Sequence, residues 1–242
     1  NRKYGVFGPV PKKTILKAID EHPEAQLLVL TSCTYDGLRY DLKPIIDAAH
    51  ARGIKVLIDE AWFAHARFHP ALRPTALESG ADYATQSAHK TLSALSQAAY
   101  IHVNDPTFNE HIFRENFNMH TSTSPMYSMI ASLDVSRKQA VLEGYKLLQR
   151  TLMLADELRE QINSTGVFRV LELDDLLPDE VRNDGIRLDT TKITVDVASC
   201  GMTVDDLQNE LFTRFNITVE KSTFNTLTLL LTIGTTRSKC SR

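Results

Sequence analysis

Four polar residues follow the ends of two predicted strands, where covalent chemistry on a bound carbonyl compound is possible. Asp59 ends one apolar run, and Ser87, His89 and Lys90 follow the next one along the chain. Sites in open parallel sheets form beyond the carboxyl ends of the strands, so these side chains are expected in one crevice. A lysine held partly out of water there can supply the neutral amine that a Schiff base requires.

An aspartate at the neighbouring strand end adds a partner for a protonated ring nitrogen. With Lys90 joined to an aldehyde and Asp59 paired with a pyridine nitrogen, the pattern is the one that pyridoxal phosphate needs. Ser87 could then donate a hydrogen bond to the phosphate. The pattern leaves a second interpretation open, in which Lys90 lies on the surface and Asp59 caps a helix.

The elements that would position these residues are those of an α/β fold. Uninterrupted apolar runs predict strands at residues 26–31, 54–59, 81–86 and 97–103, and helices are predicted at residues 11–20 and 42–52. Asp41 is expected to cap the second helix and Gly53 to end it. Apolar strands that alternate with helices favour a mostly parallel sheet covered by helices on both faces.

After residue 104 the pattern changes, and a smaller α+β domain is predicted after a long helix. A helix is predicted from Asp105 to residue 117, and a long helix with one apolar stripe, which we ascribe to packing, at residues 126–162. Strands are predicted at residues 167–171, 192–197, 217–220 and 226–233, with a helix at 204–215. The acidic residues 173–184 are predicted to form a loop.

Composition and cysteine usage limit the class of protein. The net charge of −3 and the pI near 6.3 give no indication of nucleic acid or an anionic membrane as a partner. No apolar run approaches the roughly 18 residues that span a bilayer. The three cysteines are an odd number without metal-like spacing, so free thiols in a reduced cytoplasmic protein are expected. Because the chain opens with Asn1, we expect a fragment.

Two histidines could share a helical face with the spacing of zinc ligands. His65 and His69 are four residues apart, but no third ligand is evident and Pro70 follows at once. Contacts with solvent or a loop are therefore favoured for both, and no metal site is predicted.

Several stretches resemble the bacterial-type ornithine/lysine/arginine decarboxylases, which are pyridoxal-phosphate enzymes of the aspartate-aminotransferase fold, or fold type I. They are NRKYGVFGPVP, TSCTYDGLRYDL, IDEAW, SAHKTLSALSQAAYIHV, NMHTSTSPMYSMIAS, RLDTTKITV and ITVEKSTFNTLTLLLTIG. They keep the family's order and cover most of the chain. The Ser-x-His-Lys and His-Thr-Ser-Thr-Ser-Pro runs are the most specific.

The resemblance implies the contacts with the cofactor ring. Lys90 would form the Schiff base and Asp59 would pair with the pyridine nitrogen. Ala61 would pack against the ring face, with Trp62 beside it near the ring hydroxyl. Residues 34–37, in which Asp-Gly favours a turn, would form a wall of the site.

The resemblance also implies the contacts around the ring. Ser87 and His89 would contact the phosphate. Ser122 or Thr123 would reach the phosphate of the neighbouring subunit's site in a homodimer, since active sites in this fold lie at a dimer interface. Glu220 would line the entrance and meet the distal cationic group of the substrate.

The domain division follows from the same resemblance. We expect residues 1–124 to be the later part of the cofactor-binding major domain, 125–165 a connecting helical region and 166–242 a partial small domain. The family's ring-stacking histidine and phosphate-binding turn precede the part that Asn1 matches, and its wing and C-terminal domains also lie outside these residues.

The implied reaction is decarboxylation of lysine, arginine or ornithine to cadaverine, agmatine or putrescine. An aminotransferase or carbon–carbon lyase with the same cofactor is the first alternative, because the pocket selects the bond that breaks. A non-catalytic homologue that assembles or regulates is the second.

Overall fold

The computed structural model describes residues 3–241. Its helices are α1 Lys12–Glu21, α2 Lys43–His50, α3 Ala88–Thr91, α4 Glu110–His120, α5 Tyr127–Ser164, α6 Leu173–Leu176, α7 Val204–Phe215 and α8 Arg237–Cys240. Its strands are β1 Leu27–Thr31, β2 Leu38–Arg39, β3 Lys55–Asp59, β4 Tyr83–Ser87, β5 Ala99–Val103, β6 Arg169–Val170, β7 Arg187–Leu188, β8 Lys192–Asp196, β9 Lys221–Ser222 and β10 Thr226–Leu230. None of the described helices is long and apolar enough to cross a membrane.

The first sheet has the strand order β1-β3-β4-β5 and is mixed. β1, β3 and β4 are parallel, with Thr31 opposite Asp59 and Asp59 opposite Thr85. β5 is antiparallel to β4, so the sheet is mostly parallel, as predicted. The connection through residues 88–98 is a short helix and a turn, which is too short for a parallel crossover.

Helices α1 and α2 cover one face of this sheet. Ile45, Ile46 and Ile58 are fully buried where α1 and α2 pack on the sheet. On the opposite face, Val29 of β1 and Ile101 of β5 are 60% and 47% exposed. Helices α1 and α2 thus flank the mostly parallel sheet of the predicted α/β fold, and the opposite face is more exposed.

Two predicted helix starts are corrected by the structure. Asp41 does not cap α2, whose first turn has no side-chain cap. α4 begins at Glu110 rather than near Asp105, because the side chain of Asn109 accepts a hydrogen bond from the backbone N–H of Ile112. Gly53 follows α2 as predicted, with a φ of +71° that favours glycine.

The second sheet is antiparallel, with the order β6-β8-β10-β9, and packs against α5 and α7. The strand predicted at residues 217–220 is wrong, because β9 comprises only Lys221–Ser222. Residues 173–184 are not a plain loop either. They contain α6, which begins with a capping box formed by Glu172 and Asp175.

A third, two-stranded sheet joins the two halves of the chain. Leu38 of β2 pairs with Leu188 of β7, and Arg39 pairs with Arg187. This pairing brings the turn before β2 beside the segment that leads into β8, which is where the candidate site lies.

Candidate active site

Asp59 and Ser87 occupy the ends of neighbouring parallel strands on one face of the first sheet. Asp59 is opposite Thr85, and Ser87 is two residues further along β4, so side-chain alternation places all three on the same face. Asp59 is partly buried, and its Oδ1 accepts a hydrogen bond of 2.8 Å from the backbone N–H of Ala61. Asp59 and Ser87 therefore lie at the carboxyl ends of neighbouring parallel strands, on the same face of the sheet.

The short helix α3 presents Lys90 at this edge. Ser87 is extended and precedes α3 without using its hydroxyl as a cap. Nδ1 of His89 lies 3.1 Å from the carbonyl oxygen of Ala98, which ties α3 to the start of β5. Lys90 is partly buried rather than a fully exposed surface lysine.

Lys90 lies over one ring of an aromatic pair. Its Nζ lies 4.5 Å from the centre of the Trp62 ring, which is within cation–π range. The centre of the Tyr35 ring lies 4.7 Å from that of Trp62, with a tilt of 54°. We call Tyr35 and Trp62 the aromatic wall.

The turn that carries Tyr35 is held from the second sheet. Asp36 is buried, and both of its carboxylate oxygens accept hydrogen bonds from Nζ of Lys221, at 2.9 and 2.7 Å. Oγ1 of Thr228 lies 3.4 Å from the same carboxylate. The Asp-Gly turn predicted at residues 34–37 is present, with the N–H of Gly37 bonded to the carbonyl of Thr34.

A second ion pair lies beneath the aromatic wall. Nζ of Lys192 donates to Oδ2 of Asp189 at 2.5 Å and to the carbonyl oxygen of Trp62 at 3.3 Å. Burial disfavours both charges, yet Lys192 holds the pKa of Asp189 well below its usual value, and Asp189 raises the pKa of Lys192. Both side chains are therefore charged at neutral pH.

Glu220 lies at the exposed end of the segment before β9, and its N–H donates to the carbonyl of Thr228. Partial burial of its carboxyl group raises the pKa of Glu220, while the positive charges of Lys90 and Lys192 oppose this rise. Glu220 is thus within electrostatic reach of Lys90, and its role at the entrance stays a prediction.

Ser122 and Thr123 are not brought to Lys90 by any described contact. Both are exposed in the segment between α4 and α5. Large exposed apolar side chains flank them, including Phe117, Met119 and Tyr127. A role in a neighbouring subunit's site remains a prediction for both residues.

His65 and His69 lie in the interior rather than in contact with solvent. His65 is buried within 3.5 Å of Asp189, and burial lowers its pKa. His69 stacks on Tyr145, and its Nε2 lies 3.1 Å from Oε1 of Gln149. Among residues 3–241, no group of three or more histidine, cysteine or acidic side chains could hold a metal ion.

The groups that remain available match the functional groups of pyridoxal phosphate. Within the part of the chain that the structure describes, Oδ2 of Asp59, Oγ of Ser87 and Nζ of Lys90 make no hydrogen bond. An amine, a carboxylate and a hydroxyl at one sheet edge are suited to an aldehyde, a ring nitrogen and a phosphate. The residues present therefore fit this cofactor.

The fold is that of fold type I pyridoxal-phosphate enzymes. The structure superposes on lysine decarboxylase LdcF of Francisella novicida with a TM-score of 0.81 and 28% identity, over 99% of this chain and 39% of that one. The likeness to ureidoglycine–glyoxylate aminotransferase of Bacillus subtilis, with a TM-score of 0.73 and 15% identity over 96% of this chain and 62% of that one, shows the fold alone.

The chain belongs to the Orn/Lys/Arg decarboxylase family, whose members use pyridoxal phosphate. The family described as Orn/Lys/Arg decarboxylase, major domain, matches residues 1–239. Arginine decarboxylase of Bacillus cereus is 35% identical over 236 residues, which are 98% of this chain and 50% of that protein. The chain thus spans about half the length of the curated relatives it matches.

Proposed function

We propose that the protein containing this chain is a pyridoxal-phosphate-dependent decarboxylase of a basic L-amino acid, with Lys90 as the Schiff-base lysine. The observation that carries the proposal is the placement of Lys90 Nζ against Trp62, at the sheet edge where Asp59 and Ser87 end adjacent strands. Relatives named arginine decarboxylase and lysine decarboxylase support the choice of reaction.

Each residue has a distinct task in this proposal. Asp59 holds a proton at the ring nitrogen, and Ala61 packs against the ring with Trp62 beside it. Pyridoxal phosphate, when bound, supplies an electron sink for the electron pair left as carbon dioxide departs. The amine of Lys90 would hold the cofactor through its aldehyde carbon, and the ammonium form of Lys90, or another acid nearby, would return a proton to the alpha carbon of the substrate.

The remaining predicted residues fix the phosphate and the substrate. Ser87 and His89 bind the phosphate from the end of β4 and from α3. Ser122 and Thr123 act in the neighbouring subunit of a homodimer, and the exposed apolar side chains beside them are suited to such an interface. Glu220 pairs with the distal cation of lysine, arginine or ornithine.

The test is carbon dioxide release by the longest natural form of the protein with pyridoxal phosphate supplied. Lysine, arginine and ornithine are offered separately, and one or more should release carbon dioxide. Lys90→Ala should abolish release, whereas Lys43→Ala, at an exposed lysine of α2, should leave it unchanged. Keto-acid formation without carbon dioxide would show an aminotransferase instead, and no turnover with any substrate would favour a non-catalytic homologue.

A further inference from the structure

The carbonyl oxygen of Trp62 accepts a hydrogen bond from a side chain that lies far away in the sequence. Lys192 opens β8, is only 2% exposed, and donates from Nζ to the carbonyl oxygen of Trp62 at 3.3 Å. The donor and acceptor residues are 130 positions apart in the chain. The backbone that carries the Trp62 ring is therefore held by the second sheet and not only by its own neighbours.

The lysine is in turn held by a fully satisfied carboxylate. Oδ2 of Asp189 accepts from Lys192, and its Oδ1 accepts from the hydroxyl of Thr191 at 2.7 Å and from the Thr191 N–H at 3.1 Å. The N–H of Asp189 donates to the carbonyl of Gly37 at 2.8 Å, at the end of the turn that carries Tyr35. The Lys192 side chain thus contacts the backbone of Trp62, and the backbone of its partner Asp189 contacts the turn that carries Tyr35.

We propose that Asp189 and Lys192 are positioning residues that hold the aromatic wall against Lys90. This inference rests on the proposed function, because the aromatic wall matters for catalysis only if a cofactor joined to Lys90 lies beside it. A buried ion pair is often no more stabilising than apolar residues of similar volume, so its replacement should alter geometry more than stability. Neither residue touches the reacting atoms in this assignment.

The test uses Trp62, which is the one tryptophan in the 242-residue sequence. Its emission maximum and its quenching by acrylamide are measured in the full chain without cofactor. The double variant Asp189→Asn/Lys192→Met removes both charges and the donor to the Trp62 carbonyl. We expect its emission to shift to the red and its quenching constant to rise by about twofold, since a loosened indole gains contact with solvent.

A matched control separates this effect from a general loss of stability. Lys55→Met breaks ion pairs with Asp105 and Asp82 at the opposite end of β3, far from the wall along the strand. It should leave the emission and quenching of Trp62 unchanged. A folded double variant with native emission and quenching would overturn the inference.

A second variant keeps the test decisive if the double variant does not fold. Thr191→Val removes one hydrogen bond to Asp189 without leaving Lys192 unpaired, and it should raise the quenching constant in the same direction by a smaller factor. Native quenching in folded Thr191→Val would then overturn the inference. Failure of Lys90 to bind pyridoxal phosphate would contradict the proposed function, but it would not change the Trp62 emission and quenching, which are measured without cofactor.

Discussion

The buried contact between Asp36 and Lys221 should be worth several times more than an exposed ion pair. Lys221→Met would leave the Asp36 carboxylate, which is 1% exposed, with only the Thr228 hydroxyl at 3.4 Å. Removing one partner of a fully buried pair costs about 3–5 kcal/mol. The Lys221 side chain is 20% exposed, so water can reach part of the space it leaves, and we expect a loss of about 3 kcal/mol.

Urea denaturation of a double-mutant cycle measures this value. Asp36→Asn/Lys221→Met leaves no buried charge and should cost about 1 kcal/mol or less. The coupling between the two residues is therefore at least about 2 kcal/mol, because the cost of the single Asp36→Asn change, which leaves Lys221 without its partner, adds to it. Lys43→Met, which breaks an exposed pair with Asp47, should cost less than about 0.5 kcal/mol. A Lys221→Met cost equal to this control, or a double variant whose cost is the sum of the single ones, would refute the reasoning.

Two further predictions concern a turn and a thiol near the site. Gly37→Ala should reduce the free energy of unfolding by more than about 1–2 kcal/mol, because φ is +90° and an added Cβ would lie 2.9 Å from the carbonyl oxygen of Asp189. At Gly53, φ is +71° and no atom lies within 4 Å of an added Cβ, so Gly53→Ala should lose only the free energy of placing an alanine in a left-handed backbone conformation. Equal urea midpoints for the two variants would contradict the predicted clash at Gly37. Burial raises the pKa of the Cys33 thiol to about 12, so a disulfide reagent at about pH 8 should label Cys200 and Cys240 first and Cys33 only after unfolding. Equal labelling rates for all three thiols would show that Cys33 is accessible in the folded chain.

Local sequence patterns predicted the bounds of the helices and strands that begin or end at a local signal, such as a helix cap or an apolar run. α7 begins and ends where its pattern predicted, and Thr203 caps it by accepting a hydrogen bond from the N–H of Asp206. β1, β3 and β4 lie within two residues of the apolar runs that predicted them. A strand's direction has no such local signal, which is why only the fold shows that β5 is antiparallel.

In the candidate site, too, some residues could be predicted from the local sequence, and others are brought there by contacts between distant parts of the chain. Asp59, Ser87 and Lys90 could be proposed together because strand ends can be recognised in a single sequence. Lys192 was not singled out, because a lysine that opens an apolar strand is typical of an exposed position. The carbonyl oxygen that accepts its hydrogen bond belongs to Trp62, 130 residues away, so only the fold reveals the contact.

The domain boundaries at residues 124 and 165 remain predictions. α5 runs continuously across the second part, from Tyr127 to Ser164, and its buried residues contribute to two separate core clusters. Leu148 packs with the cluster around Phe63, and Leu154 packs with the second sheet. The helix is therefore suited to the connecting role that the sequence predicts.

Covalent attachment of pyridoxal phosphate to Lys90 is the central claim, and borohydride reduction tests it most directly. The longest natural form of the protein is incubated with pyridoxal phosphate, reduced, digested and examined by peptide mass mapping, with Lys90→Ala as the control. A pyridoxyl group on the peptide containing Lys90, and its loss in Lys90→Ala, is the predicted result. A fully folded protein that carries no pyridoxyl group on Lys90, with cofactor in excess, would contradict the claim.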